Sequence, residues 1–387
     1  MKIGILTQPL RNNYGGLLQN YALQTVLKKE GYDVVTIDWD CSSERSIRLF
    51  LSATIRYILH YMTNGRISKV ELRYVPTPDE DAIIHKNVSR FVRKYINATT
   101  KTQNIKQFER IANSQNCNAF IVGSDQCWRP KYNASFLPVM YLSFVTNDNI
   151  KRLSYAASFG TDEWEYSTSQ TEKCKKLVKQ FDLVTVREKS GISLCKEYFG
   201  IEVSQVLDPT MLLDKEDYIN LIVQENEPEC KGSLFYYILD PNDKTEKFIE
   251  SVARNLELSP FMVLPKYKEE YRKKINVKEN IKDCIYPSPL TWIRAFYDAK
   301  MTVVDSFHGM VFSIIFNKPF WVIGNKKRGM SRFLSLLEMF DLQDRLIDEN
   351  DLSNVDIRKP INWDMVNKKR EALKNYSLSL LLNFLRK

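Results

Sequence analysis

Residues 2–38 read KIGILTQPLRNNYGGLLQNYALQTVLKKEGYDVVTID, and this stretch decides the fold. The apolar stretch Lys2–Thr7 predicts a β-strand. Apolar residues then recur at the helical period across Gly16–Glu30, and Gly31 is placed to end that helix. The apolar stretch Asp33–Asp38 predicts a second strand. A strand, a helix and a strand in this order predict a parallel sheet in an α/β fold.

The alternation of strand and helix continues along the chain and restarts after the dipeptide Asp208-Pro209. Before the dipeptide we expect strands at Ala119–Val122, Arg152–Ser158, Leu183–Val186 and Val203–Leu207, and helices at Ser169–Phe181 and Glu188–Phe199. After it we expect strands at Leu234–Leu239, Phe261–Leu264, Met301–Val304 and Phe320–Ile323, and helices at Thr245–Leu256, Pro289–Ala299, Gly309–Phe316, Ser331–Phe340 and Trp363–Leu385. This pattern predicts two doubly wound parallel-sheet domains.

The predicted domain organisation has three parts. An N-terminal Rossmann-like domain is expected at residues 1–208, a C-terminal Rossmann-like domain at 209–345, and a helical segment that packs back at 346–387. We expect the two domains to face each other across a cleft, because ligands in open α/β sheets bind outside the carboxyl ends of the strands. The length of 387 residues agrees with two domains, since one hydrophobic core seldom serves so long a chain.

A basic amphipathic insertion interrupts the first domain at about residues 43–75, where Ile, Leu and Phe alternate with Arg and Lys. One interpretation is a pair of helices that contacts a membrane surface or grips a lipid-linked substrate. The other is a cap that packs on its own domain, with the Arg stems covering apolar surface.

The composition excludes several classes of protein. Hydrophobic residues make up 44% of the chain and charged residues 27%, which is typical of a globular protein. The first residues carry too short an apolar run for a signal peptide, and no run reaches the roughly 18–20 residues that span a bilayer. The seven cysteines include no CxxC pair, which favours reduced thiols over a disulfide framework or a zinc site. We therefore expect a cytoplasmic protein.

The charge of the chain limits its partners. There are 56 Lys and Arg residues against 47 Asp and Glu residues, which gives a net charge of +9. Such a charge favours an anionic substrate, a polyanionic partner or the inner face of an anionic membrane. The sequence contains no helix-turn-helix, zinc-finger or RNP-like signature, so we expect no nucleic-acid partner. It also contains no HExxH, P-loop or spaced carboxylate cluster, so we expect no metal.

The run DSFHG at residues 305–309 contains the candidate catalytic group, His308. The predicted strand Met301–Val304 leads into this run and a helix leaves it. Free N–H groups and the helix dipole favour anions at such a junction, and a His there can act as an acid or a base near neutral pH. A His that only caps the turn is the alternative. The other two histidines of the chain do not have this placement.

Two further loops follow predicted strands of the first domain. The loop NNYGG at residues 12–16 has two glycines that would let backbone amides approach a ligand. It lacks the GxGxxG pattern of a dinucleotide site, and a simple turn is its alternative. The loop GSDQCW at residues 123–128 offers Asp125 as a base or as a partner for a sugar hydroxyl, and Trp128 as a ring that stacks on a sugar. A helix N-cap by Ser124 or Asp125 is the alternative there.

Two groups of cations could hold an anionic substrate. Arg187 follows the predicted strand Leu183–Val186 and could bind a carboxylate or a phosphate in a bidentate manner. An exposed ion pair with Glu188 is the alternative. Residues 325–332 read NKKRGMSR and open a helix, which is typical either of a phosphate site or of a solvated loop. The cations that this segment offers to a donor are Lys326, Arg328 and Arg332.

Together these stretches resemble the polysaccharide pyruvyl transferase family. The resemblance covers roughly residues 3–340 and rests on seven stretches in the order of the family: NNYGGLLQNYALQ, FIVGSDQCW, LSYAASFG, TVREKSG, VLDPTMLL, DSFHGMVFSIIFNKPF and GMSRF. It implies a fold like the GT-B architecture, in which two Rossmann-like domains face a cleft.

The resemblance also implies a reaction. A pyruvyl group would pass from phosphoenolpyruvate, as co-substrate and without a cofactor, to two hydroxyls of a sugar in a bacterial surface polysaccharide or its lipid-linked precursor. The products would be a cyclic ketal and phosphate. His308 matches the family's catalytic His, proposed as general acid, and Arg187 matches an Arg that binds the donor. For the acceptor side and its loops we expect Asn13, Gly15, Gly16, Ser124, Trp128 and Ser158, with Asp125 as candidate base.

One position departs from the family pattern. Relatives often carry Ser-Arg-Leu-His-Gly, with an Arg two residues before the His that contacts the donor, whereas this chain has Ser306 at that position. Ser306 and Arg187, together with one or more of Lys326, Arg328 and Arg332, would then hold the donor. Two alternatives remain, namely a GT-B glycosyltransferase with a nucleotide-sugar donor and a non-catalytic carbohydrate-binding relative.

Overall fold

The computed structural model describes residues 1–40, 76–267, 275–324, 329–352 and 355–386. The predicted basic insertion at about 43–75 and the cations Lys326 and Arg328 lie outside these residues.

Strands and helices alternate through the described residues. The strands are β1 (Lys2–Leu6), β2 (Asp33–Thr36), β3 (Ala119–Val122), β4 (Lys151–Ala157), β5 (Leu183–Val186), β6 (Ser204–Gln205), β7 (Leu234–Tyr237), β8 (Pro260–Phe261), β9 (Met301–Val304), β10 (Phe320–Gly324) and β11 (Leu346–Asp348). The helices are α1 (Tyr14–Lys29), α2 (Pro78–Ile84), α3 (Lys86–Tyr95), α4 (Ile105–Ser114), α5 (Pro130–Asn133), α6 (Thr168–Val178), α7 (Lys189–Leu194), α8 (Lys215–Gln224), α9 (Asp243–Asn255), α10 (Pro289–Asp298), α11 (Phe307–Ile315), α12 (Ser331–Phe340) and α13 (Trp363–Arg386).

The strands form two parallel sheets, which confirms the predicted pair of α/β domains. The first sheet has the order β2-β1-β3-β4-β5-β6 and the second the order β11-β10-β9-β7-β8. The direction of winding reverses between β1 and β3 and between β7 and β9. Such a switch point leaves a crevice at the carboxyl ends of the strands, where ligands bind. The loops at residues 12–16, 123–128 and 305–309 follow β1, β3 and β9, so they lie at the two switch points.

Two helices begin earlier than the sequence predicts, because a side chain caps each of them. The Asn13 side chain accepts a hydrogen bond from the Gly16 amide (3.1 Å) and the Ser306 hydroxyl accepts one from the Gly309 amide (3.1 Å). A cap of this kind satisfies an amide that would otherwise lack a partner in the first turn. His308 therefore lies inside the first turn of α11 and not before it.

Strand β11 corrects one predicted domain boundary. It pairs with β10 and completes the second sheet, so this sheet extends beyond residue 345 and the C-terminal segment begins after Asp348. A strand of three residues is too short to show an alternating pattern. Its pairing with β10 creates it, and the sequence alone does not reveal that partner.

Helix α1 belongs to the first domain and packs against the second. Tyr14, in its first turn, is almost fully buried, and its ring lies 6.5 Å from that of Tyr237 and 5.9 Å from that of Trp292. Its hydroxyl donates a hydrogen bond to the carbonyl of Pro287 (2.9 Å). These contacts place the amino end of α1 on the second domain. The switch point of the first sheet therefore lies against the switch point of the second.

The C-terminal helix α13 packs back on the first domain. The Ser377 hydroxyl accepts a hydrogen bond from the Leu207 amide (3.1 Å), and the Lys151 ammonium donates one to the Phe384 carbonyl (3.1 Å). Leu381 is fully buried in the core that both domains share. Among the described residues, no helix is long and apolar enough to cross a bilayer.

We expect Leu381→Ala to lower the free energy of unfolding by about 2–5 kcal/mol, because it leaves a cavity beneath α13. The matched control is Tyr376→Ala on the exposed side of the same helix, where the side chain is 49% exposed and the change should stay within about 0.5 kcal/mol. Chemical denaturation followed by circular dichroism measures both. Equal losses in the two variants would contradict the packing of α13.

Candidate active site

His308 lies where the two domains touch. Its side chain is about nine-tenths buried, and the ring rests on the backbone of Gly15 in the first turn of α1. A β-carbon at Gly15 would lie 2.0 Å from His308 Nδ1, so only glycine allows this approach. The second glycine of the loop, Gly16, faces Asn13 and Asp125 instead. The loop NNYGG thus receives the His side chain as well as capping a helix.

Asp208 is the carboxylate partner of His308. Its Oδ2 atom lies 3.4 Å from His308 Nε2, which is an ion-pair distance without the alignment of a hydrogen bond. The same oxygen accepts hydrogen bonds from the Ser124 hydroxyl (2.7 Å) and from Nη1 of Arg187 (3.2 Å). Burial raises the pKa of Asp208, but His308 and Arg187 outweigh burial and hold this pKa below its ordinary range.

Arg187 is buried at the centre of this cluster. Its Nε donates to Glu188 Oε1 (2.9 Å), and its guanidinium lies 4.0 Å from the centre of the Phe307 ring. The predicted pair with Glu188 therefore exists, but both side chains are buried and not exposed. Burial lowers the pKa of Arg187, and the carboxylates of Glu188 and Asp208 more than restore it. The Nη2 atom has no hydrogen-bond partner within the described part of the chain.

Ser124 and Ser158 hold the carboxylates of the cluster. Ser124 donates to Asp208 and accepts from Arg187, whereas Ser158 donates to Glu188 Oε1 (2.7 Å). Both serines are fully buried. Neither caps a helix, so the predicted capping role of Ser124 is wrong.

Asp125 lies at the amino end of α1. Its Oδ2 accepts a hydrogen bond from the Asn13 amide group (2.9 Å), and its Oδ1 accepts one from the Gln126 amide (2.9 Å). Its backbone adopts a φ of +77°, a left-handed conformation that a residue other than glycine seldom takes. Strained residues of this kind concentrate at ligand sites. Asp125 caps no helix, and its carboxylate lies beside the switch-point loop.

Arg332, in the first turn of α12, brings a second cation to the cleft. It is buried and lies within electrostatic range of Arg187, Glu188 and Asp125. Burial, and then the like charge of Arg187, lower the pKa of Arg332 to about 10. Lys326 and Arg328 lie outside the described residues, so their predicted role stays a prediction.

Trp128 does not have the place that the sequence predicts. It is fully buried, its indole N–H donates to the Met140 carbonyl (3.0 Å), and its ring stacks on Tyr141 with centroids 4.8 Å apart. The edge of the Phe159 ring covers it as well. A sugar cannot stack on a ring packed in this way, so Trp128 belongs to the core beneath the site.

Comparison with known proteins identifies the family of the chain. A family model described as polysaccharide pyruvyl transferase matches residues 13–327. The chain belongs to the polysaccharide pyruvyl transferase family. No curated protein shows significant sequence similarity to it.

Solved structures share the fold of this pyruvyl transferase family member. Arabidopsis thaliana UGT89C1 complexed with UDP is 9% identical, with 99% of this chain and 98% of that chain covered and a TM-score of 0.51. The S. aureus MnaA-UDP co-structure is 12% identical, with 100% and 98% covered and a TM-score of 0.50. At such identities the likeness concerns the fold alone, which is GT-B-like as predicted.

Asp208 is not among the site residues that the sequence predicts for this protein. The run VLDPTMLL carried it, but the dipeptide Asp208-Pro209 was interpreted only as a domain boundary. The available signal was a carboxylate three residues after β6, the strand that neighbours β5, at the sheet edge where Arg187 also lies. Glu188, which holds the other side of Arg187, was likewise considered only as an exposed partner.

We expect Gly15→Ala to lower the free energy of unfolding by about 1–3 kcal/mol, because its β-carbon overlaps the His308 ring. Helix propensity alone would make this substitution stabilising by about 0.5–1 kcal/mol, so a net loss reports the clash. Gly123→Ala is the matched control, since its β-carbon meets no atom closer than 3.4 Å. Thermal and chemical unfolding measure both. A Gly15→Ala variant as stable as the parent would show that the ring lies elsewhere.

Proposed function

We propose that this protein transfers a pyruvyl group from phosphoenolpyruvate to two hydroxyls of one sugar, forming a cyclic ketal and releasing phosphate. The observation that carries the proposal is the placement of His308 between the switch points of both sheets, beside the fixed charges of Asp208 and Arg187. Membership of the pyruvyl transferase family supports the choice of reaction.

His308 acts as the general acid in this scheme. The protonated imidazole gives its proton to the methylene carbon of phosphoenolpyruvate, and the neighbouring carbon gains oxocarbenium character. A first sugar hydroxyl attacks that carbon and passes its proton to Asp125. The carbon–oxygen bond to phosphate then breaks, and the phosphate takes the proton from Asp125. A second hydroxyl closes the ketal and returns a proton to His308, so that the acid is restored.

The donor is an anion at both ends, and the cleft supplies cations for both. The unpartnered Nη2 of Arg187 would hold the carboxylate, and Arg332 would hold the phosphate. Burial, and then the like charge of Arg187, lower the pKa of Arg332, and an anion between the two guanidinium groups would favour their charged forms. Lys326 and Arg328 would extend the phosphate site, and Ser306 would contribute through the amino end of α11 that it caps.

The acceptor would enter from the first domain, where Asn13 and Asp125 line the switch-point loop. The sugar would belong to a surface polysaccharide or its lipid-linked precursor, and the enzyme would work in the cytoplasm. The basic insertion at about 43–75 would then bring it to the inner face of the membrane. The scheme requires neither a metal nor an organic cofactor.

We expect His308→Gln to reduce turnover by on the order of 10²–10⁴-fold, the usual contribution of a general acid, with little change in stability. His85→Gln is the matched control, because it removes the other described histidine, whose ring stacks on Tyr286. Phosphate release from phosphoenolpyruvate, measured with a panel of galactose- and mannose-type acceptors and with product mass, provides the assay. Turnover by His308→Gln at the parental rate would remove His308 from the mechanism. Nucleotide release from sugar donors by the parent protein would favour a glycosyltransferase instead.

We expect Arg332→Gln to raise the KM for phosphoenolpyruvate about 10- to 100-fold and to change kcat less. A hydrogen bond to a charged group contributes roughly 1.5–3 kcal/mol, which corresponds to a change of this size. Arg386→Gln is the control, since it removes a cation whose partner is the distant, exposed Glu30. Steady-state kinetics at several phosphoenolpyruvate concentrations distinguish the two variants. An unchanged KM in Arg332→Gln would place the donor elsewhere.

A further inference from the structure

The run Asp208-Pro209-Thr210 has no role in the reaction described so far, although its carboxylate touches the proposed acid. The two carboxylate oxygens of Asp208 have different partners. The Oδ1 atom accepts hydrogen bonds from the Thr210 amide (3.0 Å) and the Thr210 hydroxyl (2.6 Å), which fixes the plane of the carboxylate. The Oδ2 atom faces the cleft, where it meets groups from both domains.

Asp208 lies beside His308 as a charge partner and does not accept a well-aligned hydrogen bond from it. His308 Nε2 lies 3.4 Å from Asp208 Oδ2, yet this nitrogen forms no hydrogen bond within the described residues. A carboxylate at this distance would stabilise the imidazole in its protonated form by charge. Ser124 and Arg187 donate hydrogen bonds to the same Oδ2 atom that lies beside His308.

We propose that Asp208 is the positioning residue for His308, and that it keeps the imidazole charged and oriented toward the donor across the domain interface. The inference rests on the proposed function for its catalytic meaning, but the ion pair itself does not depend on the substrate. Asp208 belongs to the first domain and His308 to the second, so the ion pair exists only where the two domains are in contact.

The other charged groups near this pair act in a defined direction. Arg187 and Arg332 carry the same sign of charge as a protonated imidazole, whereas Glu188, Asp125 and Asp208 carry the opposite sign. Asp208 is the carboxylate in direct contact among the described residues. Its pKa lies below the ordinary range, so it stays ionised at every pH at which the enzyme would work. Neutralising Asp208 should therefore shift the balance at His308 toward the neutral imidazole.

Asp208→Asn tests the inference, since it keeps the shape and removes the charge. The imidazole of His308 is followed by NMR as a function of pH, and its signal is assigned by its loss in His308→Gln. We expect the titration midpoint of His308 to fall by about one pH unit or more in Asp208→Asn, a change equivalent to about 1.4 kcal/mol. A midpoint equal to that of the parent protein would overturn the inference. This measurement needs no donor, so it is independent of the proposed function.

A double-mutant cycle separates positioning from a merely structural role. If Asp208 acts through His308, Asp208→Asn lowers kcat in the parent protein and has no further effect on kcat in His308→Gln. The alkaline limb of the rate profile should move to lower pH in Asp208→Asn, because a general acid loses activity as it deprotonates. Equal fold-losses of kcat in both backgrounds would contradict the inference and indicate a structural effect.

Gly15→Ala gives a second route that leaves the charge of Asp208 intact. Its β-carbon displaces the His308 ring from the position that it shares with Asp208. We expect the titration midpoint of His308 to fall in this variant as well, whereas Gly123→Ala should leave it unchanged. The inference thus stays testable when Asp208→Asn does not fold. A Gly15→Ala protein with a parental midpoint would count against it.

Discussion

Burying an ionised carboxylate costs several kcal/mol unless charges and hydrogen bonds surround it. Asp208 is fully buried, and its two oxygens meet Thr210, Ser124, Arg187 and His308. Each of these partners is fixed by a different element, so the cost of burying one charge is offset only when several loops are in place together. The carboxylate of Asp208, around which these loops assemble, is also the group that contacts His308.

The same constraint explains why the chain places small residues where the domains approach. His308 reaches Asp208 only because Gly15 has no side chain. A second close approach occurs at Gly329, which has a φ of +89° and whose β-carbon would lie 2.4 Å from the Gly160 carbonyl oxygen. Two glycines on the facing surfaces thus allow backbone and ring to come together, whereas the aromatic contacts of Tyr14 fix the orientation. Close packing therefore helps to specify the interface, beside ion pairs such as Lys189 with Glu338.

The sequence predicts the sheets better than it predicts the chemistry between them. Strands β3, β5 and β9 occur at the predicted residues, because a parallel strand buried on both faces appears as a short apolar run between polar loops. The loops after β1, β3 and β9 were identified for the same reason. The sequence analysis assigned no helix at α4 or α8 and no strand at β11, and the three residues of β11 are too few to show a pattern.

The misplacement of Trp128 and the omission of Asp208 have a common physical cause. An aromatic residue beside a loop carries no local sign of which face will be covered, and the stacking of Trp128 on Tyr141 depends on a later turn of the chain. The pairs of Asp208 with Ser124 and with His308 join residues that are far apart in sequence. Periodicity and spacing report local structure, so a cluster assembled from four loops leaves no continuous pattern.

Ser306 stands where relatives often carry an Arg, and it is the residue directly before helix α11, which begins at Phe307. A residue that caps a helix needs a short side chain with an oxygen acceptor, and Ser306 supplies one to the Gly309 amide. An Arg at this position could not make that bond. The chain therefore has a capped helix that carries His308 and lacks a cation at position 306. Arg332 lies in α12, and burial together with the like charge of Arg187 lowers its pKa, so a cation of the second domain approaches the Arg187 cluster from another element.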